Sequence, residues 1–132
     1  LAHNVEVVER LTAVMRHPGF EYRRSLEVLE QAADRGEAIT KSSIMVGLGE
    51  TDDDVLSAMR DLRGVGVRIL VLGQYLRPTR GHAEVEEYVP PERFDEWAEQ
   101  GRAMGFEFVA AGPLVRTSYR AAEAFAKRLV RR

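Results

Sequence analysis

The chain has 132 residues, 45% of them apolar and 30% charged, with a formal net charge of −2 from 19 basic and 21 acidic side chains and no cysteine. That is enough apolar material for the core of one soluble domain, and it gives no electrostatic argument for nucleic acid or an anionic membrane as partner. No apolar run approaches the roughly 20 residues of a membrane span, and a chain without thiols forms no disulfide and by itself holds no thiolate-bound metal or iron–sulfur cluster.

A cysteine-free chain fits a cytoplasmic setting, and its start does not resemble a secretory signal. It opens on Leu1 rather than methionine, as a piece cut from a longer protein would. In chain order, "NVEVVERLTAVMR" (residues 4–16) sets Val7, Val8, Leu11, Val14 and Met15 at helical spacing, with Asn4 as the N-cap. Pro18 and Gly19 break that helix. Residues 21–35 read as a second helix with Leu26, Leu29 and Ala33 on one face and Gly36 as its stop.

"AITKSSIMVGLG" reads as a strand ending in Gly47 and Gly49. "ETDDDVLSAMRDLRGVG" is a helix capped by Thr51, with three aspartates where the dipole favours negative charge. "VRILVLGQYL" is an almost wholly apolar strand, as expected for a parallel sheet buried on both faces. A loop over residues 77–89 leads to the helix "PPERFDEWAEQGRAMG", which has proline at its start and glycine at its end. "FEFVAAG" is a third strand, and "RTSYRAAEAFAKRLVRR" a last helix. Alternating strands and helices imply a parallel α/β sheet. Three strands are few for one standing alone, so the expected fold is the C-terminal part of a partial (β/α) barrel, one domain over residues 1–132.

Three stretches can carry chemistry, and each has a plain structural reading beside the functional one. In "KSSIMVGLGETDDDV", a strand runs through a glycine turn into a helix start, where α/β folds bind ligands. Glu50 can accept hydrogen bonds or orient that turn, and the plain reading is a βα turn capped by Thr51. In "LGQYLRPT", Gln74, Tyr75 and Arg77 end a buried strand, either to meet a ligand or to pack on the next helix. In "GPLVRTSYRA", Arg116 with Thr117 and Ser118 at a helix start can attract an anion or ligate a metal, or simply cap the helix. His3, His17 and His82 lack metal-ligand spacing. The run Asp52–Asp54 and the pair Glu86–Glu87 read as solvated surface, and Met15, Met45, Met59 and Met104 as core.

The strings "HNVEVV", "YRRSLEVL", "TKSSIMVGLGETDDDV", "MRDLRGVGVRILVLGQYLRPT", "YVPPERFDEW" and "FVAAGPLVRTSYRA" are spread along essentially the whole chain, from residue 3 to residue 121. In that order they resemble the lipoyl synthase family. The resemblance implies a radical S-adenosylmethionine enzyme on a partial (β/α) barrel. Such enzymes insert two sulfur atoms, at C6 and C8, into an octanoyl group carried on a lipoyl domain or a glycine cleavage H protein. It also implies two [4Fe-4S] clusters, one cleaving S-adenosyl-L-methionine and an auxiliary one supplying sulfur. The family's cysteine motifs precede the matched region, so the chain is expected to be the half that lacks them and to be inactive alone.

Residue by residue, Arg116-Thr117-Ser118-Tyr119 is similar to the family's "RSSY", whose serine oxygen binds the auxiliary cluster. Ser118 matches the second serine and Thr117 replaces the first, and either hydroxyl is the implied ligand. Ser43 to Glu50 is similar to the pattern beside the adenosine, with Gly47 and Glu50 matching and Ser43 and Met45 departing from it. Asn4 and Glu6, with Gln74, Tyr75 and Leu76, are implied contacts of S-adenosylmethionine or the substrate. Arg77 and Arg116 are implied contacts of carboxylates or the substrate peptide.

Two alternatives stand beside this reading: a non-catalytic nucleoside-binding module, and the cysteine-free half of a two-chain enzyme. Nucleic-acid binding through the basic last helix is disfavoured, because helix C-termini are commonly basic and no aromatic platform accompanies this one. A missing half is further expected to leave an exposed strand edge beside "VRILVLG".

Overall fold

The structure, a computed structural model, describes residues 5–15, 21–36 and 39–113. Thr51 begins a helix because its side chain accepts from the Asp54 amide while the Asp54 carboxylate accepts from the Thr51 amide, a reciprocal capping box. That helix, α3, spans Asp52–Gly64 and lies between the strands β1 (Lys41–Val46) and β2 (Ile69–Gln74). Pro91, whose fixed φ suits a first helical turn, opens α4 (Pro91–Met104), which leads to β3 (Phe108–Gly112). Before them come α1 (Glu9–Met15) and α2 (Tyr22–Arg35). Gly36 and Gly105 close α2 and α4 in the left-handed conformation.

The sheet is parallel, in the order β1-β2-β3, with Lys41 opposite Ile69 and Ile69 opposite Phe108. This is the α/β architecture expected of part of a (β/α) barrel. Every residue of β2 is buried, as its unbroken apolar run predicts. On one face, Ile44, Val46, Leu70 and Leu72 join Leu26 and Leu29 of α2, Val55, Met59 and Leu62 of α3, and Phe94 and Trp97 of α4 in the main core. Each such side chain contributes about 1.5–3 kcal/mol by leaving water. On the other face, Ile69, Val71 and Ala110 form a smaller cluster with Ile39 and Phe108.

One expectation needs correction. The first helix does not start at Asn4, which lies outside the described residues; α1 begins only at Glu9. The helical spacing of Val7 and Val8 is overridden by strand pairing. The Glu6 amide donates to the Ser43 carbonyl at 3.1 Å, and the Met45 amide donates to the Glu6 carbonyl at 2.6 Å. Glu6 takes a left-handed φ of 68° there, which ends any helical continuity. The edges expected beside "VRILVLG" belong to its neighbours: this run is the central strand, paired on both sides, and among the described residues the sheet ends at β3 and at β1, which carries a parallel bridge to Glu6 on its outer side.

Candidate functional site

The carboxyl ends of β1 and β2 carry the features that sequence motifs single out. After β1 the chain turns through Gly47 and Gly49, with φ of 100° and 96°. The Glu50 carboxylate holds this turn, accepting from the Gly47 amide at 2.6 Å and the Leu48 amide at 3.0 Å. Arg10 of α1 buttresses it from outside. Its guanidinium donates to the Gly49 carbonyl at 3.1 Å and to Asp54 Oδ2 at 2.8 Å. The Arg10 hydrogen bond, with those from Thr51, holds the Asp54 carboxyl below the usual carboxylate range. The aspartate run is therefore more than solvated surface: Asp52 also accepts from the Trp97 indole N–H at 2.6 Å.

The loop from β2 to α4 crosses back over the β1 turn. Glu86 and Glu87 donate their amides to the Gly47 carbonyl at 2.8 and 3.2 Å. Gln74, at the end of β2, staples the same loop: its amide donates to the Glu87 carbonyl at 2.9 Å and its oxygen accepts from the Val89 amide at 2.9 Å. Arg93 of α4 pairs with Glu87 and lies over the Trp97 ring.

Beneath the first part of the loop lies a cavity of about 340 Å³, within the range of small-ligand sites. Glu6, Val7, Met45 and Leu48 line it from the β1 side, and Tyr75, Leu76, Pro78, Gly81, His82 and Ala83 from the loop side. The Tyr75 hydroxyl donates to the Ala83 carbonyl at 2.7 Å. Arg77 donates to the carbonyls of His82 (3.0 Å) and Arg80 and faces Glu84 at 3.6 Å. Thr79 Oγ1 lies 2.8 Å from His82 Nδ1.

Of the sequence-derived site residues, the cavity brings together Glu6, Tyr75 and Leu76. Gly47 and Glu50 instead build the adjoining turn, Gln74 anchors the loop, and the Arg77 guanidinium is turned into its own loop. Ser43 receives the Glu6 amide on its carbonyl. Asn4, Arg116, Thr117 and Ser118 lie outside the described residues. Sequence reasoning missed His82 and Pro78 as lining groups; their place in the loop following a buried strand's carboxyl end is the signal that would have found them. Met45, read as core, is half-buried and lines the cavity. Among the described residues no group of three or more histidine, aspartate or glutamate side chains is placed to hold a metal ion, and no helix is long and apolar enough to cross a membrane.

No family model matches the chain. It is 57% identical over 131 residues to a chloroplastic lipoyl synthase of Sorghum bicolor, covering 98% of this chain and 36% of that protein. It is 57% identical over 127 residues to a lipoyl synthase of Picrophilus torridus, covering 96% of this chain and 44% of that protein. A chloroplastic lipoyl synthase of Ricinus communis is 55% identical over 131 residues, with 98% and 36% covered. The chain thus spans less than half the length of these relatives. Along nearly its entire length its sequence is theirs in kind, and the chain belongs to the lipoyl synthase family, whose C-terminal portion it represents.

Proposed function

We propose that this chain is the part of a lipoyl synthase that helps bind S-adenosyl-L-methionine, within a cytoplasmic enzyme of lipoate biosynthesis. The complete enzyme is a sulfurtransferase that inserts sulfur at C6 and C8 of an octanoyl group carried by a lipoyl domain or a glycine cleavage H protein. The observation that carries this reading is the cavity at the carboxyl ends of β1 and β2, where Glu6, Tyr75 and Leu76 meet from separate segments. Its residues fit a nucleoside. Apolar walls from Val7, Met45 and Leu48 and the Tyr75 ring suit a flat base, and Glu6 and His82 offer polar groups for hydroxyls.

S-adenosylmethionine bound there supplies the radical chemistry. The chain's own residues bind and orient it and keep water away: the Glu50-held turn fixes the β1 side, and the loop anchored by Gln74 covers the other.

The two [4Fe-4S] clusters do not fit the residues of this chain alone. It has no cysteine, and the described residues include no metal-binding group. Thiolates must come from another part of the enzyme, with Thr117 or Ser118 offering one oxygen ligand to the auxiliary cluster. We therefore expect the isolated chain to be catalytically inactive.

Anaerobic reconstitution with iron and sulfide, followed by assay for 5′-deoxyadenosine, tests this. Stoichiometric iron and turnover from the chain alone would overturn it, whereas activity restored by a cysteine-bearing second chain supports a two-chain enzyme. The lack of cysteine also favours a second reading, a nucleoside-binding module without chemistry. Calorimetry showing tight S-adenosylmethionine binding, with no activity under any complementation, selects that one.

A further inference from the structure

Tyr75 and Arg77 stand at the cavity, yet their polar atoms are committed elsewhere. The Tyr75 hydroxyl, on a buried side chain, donates across the loop to the Ala83 carbonyl at 2.7 Å. The Arg77 guanidinium donates to the Arg80 and His82 carbonyls and faces Glu84. All these acceptors lie within Arg80–Glu84, the stretch that arches over the cavity and includes the lining residues Gly81, His82 and Ala83. Beyond it, the strand-side anchors take over, with Gly47 and Gln74 holding residues 86–89. The arch itself is exposed and closes on itself through Thr79, whose carbonyl accepts from the His82 amide at 3.1 Å and whose hydroxyl accepts from the Gly81 amide at 3.3 Å.

We propose that the Tyr75 hydroxyl and the Arg77 guanidinium are positioning groups that hold Pro78–Ala83 as a roof over the cavity and act on the ligand through that roof, apart from the wall that the Tyr75 ring provides. Direct roof contacts then fall to the His82 ring, held by Thr79, and to the apolar Pro78. The assignment deepens the nucleoside reading and rests on it only for what the roof covers.

Limited proteolysis of the full chain by trypsin tests it, because the roof contains one cleavable bond, Arg80–Gly81; trypsin does not cut the Arg77–Pro78 bond. Cleavage at Arg80 is measured relative to cleavage at Arg60 on α3, which removes global unfolding from the readout. Loss of one hydrogen bond in Tyr75→Phe should raise that ratio about three- to tenfold, and Arg77→Gln should raise it at least as much. Tyr75→Phe keeps the packed ring and carries the test alone should Arg77→Gln not fold. An unchanged ratio in the variants overturns the proposal. In the unmodified chain, S-adenosylmethionine should slow cutting at Arg80. If the variants are cut faster but S-adenosylmethionine gives no protection, the roof stands and the nucleoside reading falls.

Discussion

Gly47 lies so close against the Gln74 side chain that it has no room for a Cβ. A Cβ built on Gly47 would stand 2.5 Å from the Glu87 carbonyl oxygen and closer still to the Gln74 side-chain nitrogen. The β1 turn and the loop leaving β2 therefore form one unit, and the cavity wall depends on both.

Gly47→Ala should accordingly be costly twice over. Its φ of 100° disfavours any Cβ, and the new methyl displaces the Gln74 amide from the loop. We expect a loss of about 2–4 kcal/mol by urea denaturation, and faster proteolysis across residues 84–89.

Glu50→Gln should weaken the turn without removing it. The carboxylate accepts from two amides through two oxygens, whereas a carboxamide has only one acceptor oxygen. We expect a stability loss of about 1–2 kcal/mol and weaker S-adenosylmethionine binding by calorimetry, since Leu48 lines the cavity from this turn.

Asp54 should make the fold sensitive to acid. Its carboxyl is held below the ordinary range, first by Arg10 and then by Thr51. A carboxyl depressed in the folded state stabilises it above the unfolded pKa of about 3.9 and loses that contribution as pH falls through the folded value. Asp54→Asn should be less stable than the unmodified chain at neutral pH, and the two should converge below about pH 4. The gap should narrow in high salt, because the Arg10 side chain is 54% exposed. Thermal melts at several pH values and two salt concentrations measure this.

Asp52→Ala should strand the Trp97 indole. That N–H donates to Asp52 at 2.6 Å while the ring is buried against Phe94 in an edge-on pair. An indole left without a partner costs about 1–3 kcal/mol. The signature is a shift in tryptophan fluorescence alongside a lower melting temperature; Trp97 is the chain's one tryptophan, so the signal is unambiguous.

What was legible in the sequence was mostly local. Thr51 and its aspartates announce α3, Pro91 and Gly105 bracket α4, and the apolar run of β2 announces two-sided burial. Each signal is a short-range preference that the tertiary structure reinforces. The start of α1 is not legible, because Glu6 pairs with Ser43 and Met45, residues far along the chain whose hydrogen bonds no periodicity encodes. At the site, Gly47 and Glu50 were legible as a turn, since both ends of that contact lie within four residues. The destinations of Gln74 and Arg77 were not. A polar side chain at a strand end can face a ligand or a returning loop, and only the path of residues 79–89 decides which.

Strands that sit in space in the order in which they occur along the chain carry a kinetic consequence. Each pairing closes a segment of only about thirty to forty residues, so β1-α3-β2 and β2-α4-β3 can zip together successively without waiting for distant chain. The middle strand then belongs to both units and opens only when both do. Its amide protons should be the last to exchange with deuterated solvent, marking Leu70–Leu72 as the slowest-exchanging heart of the molecule.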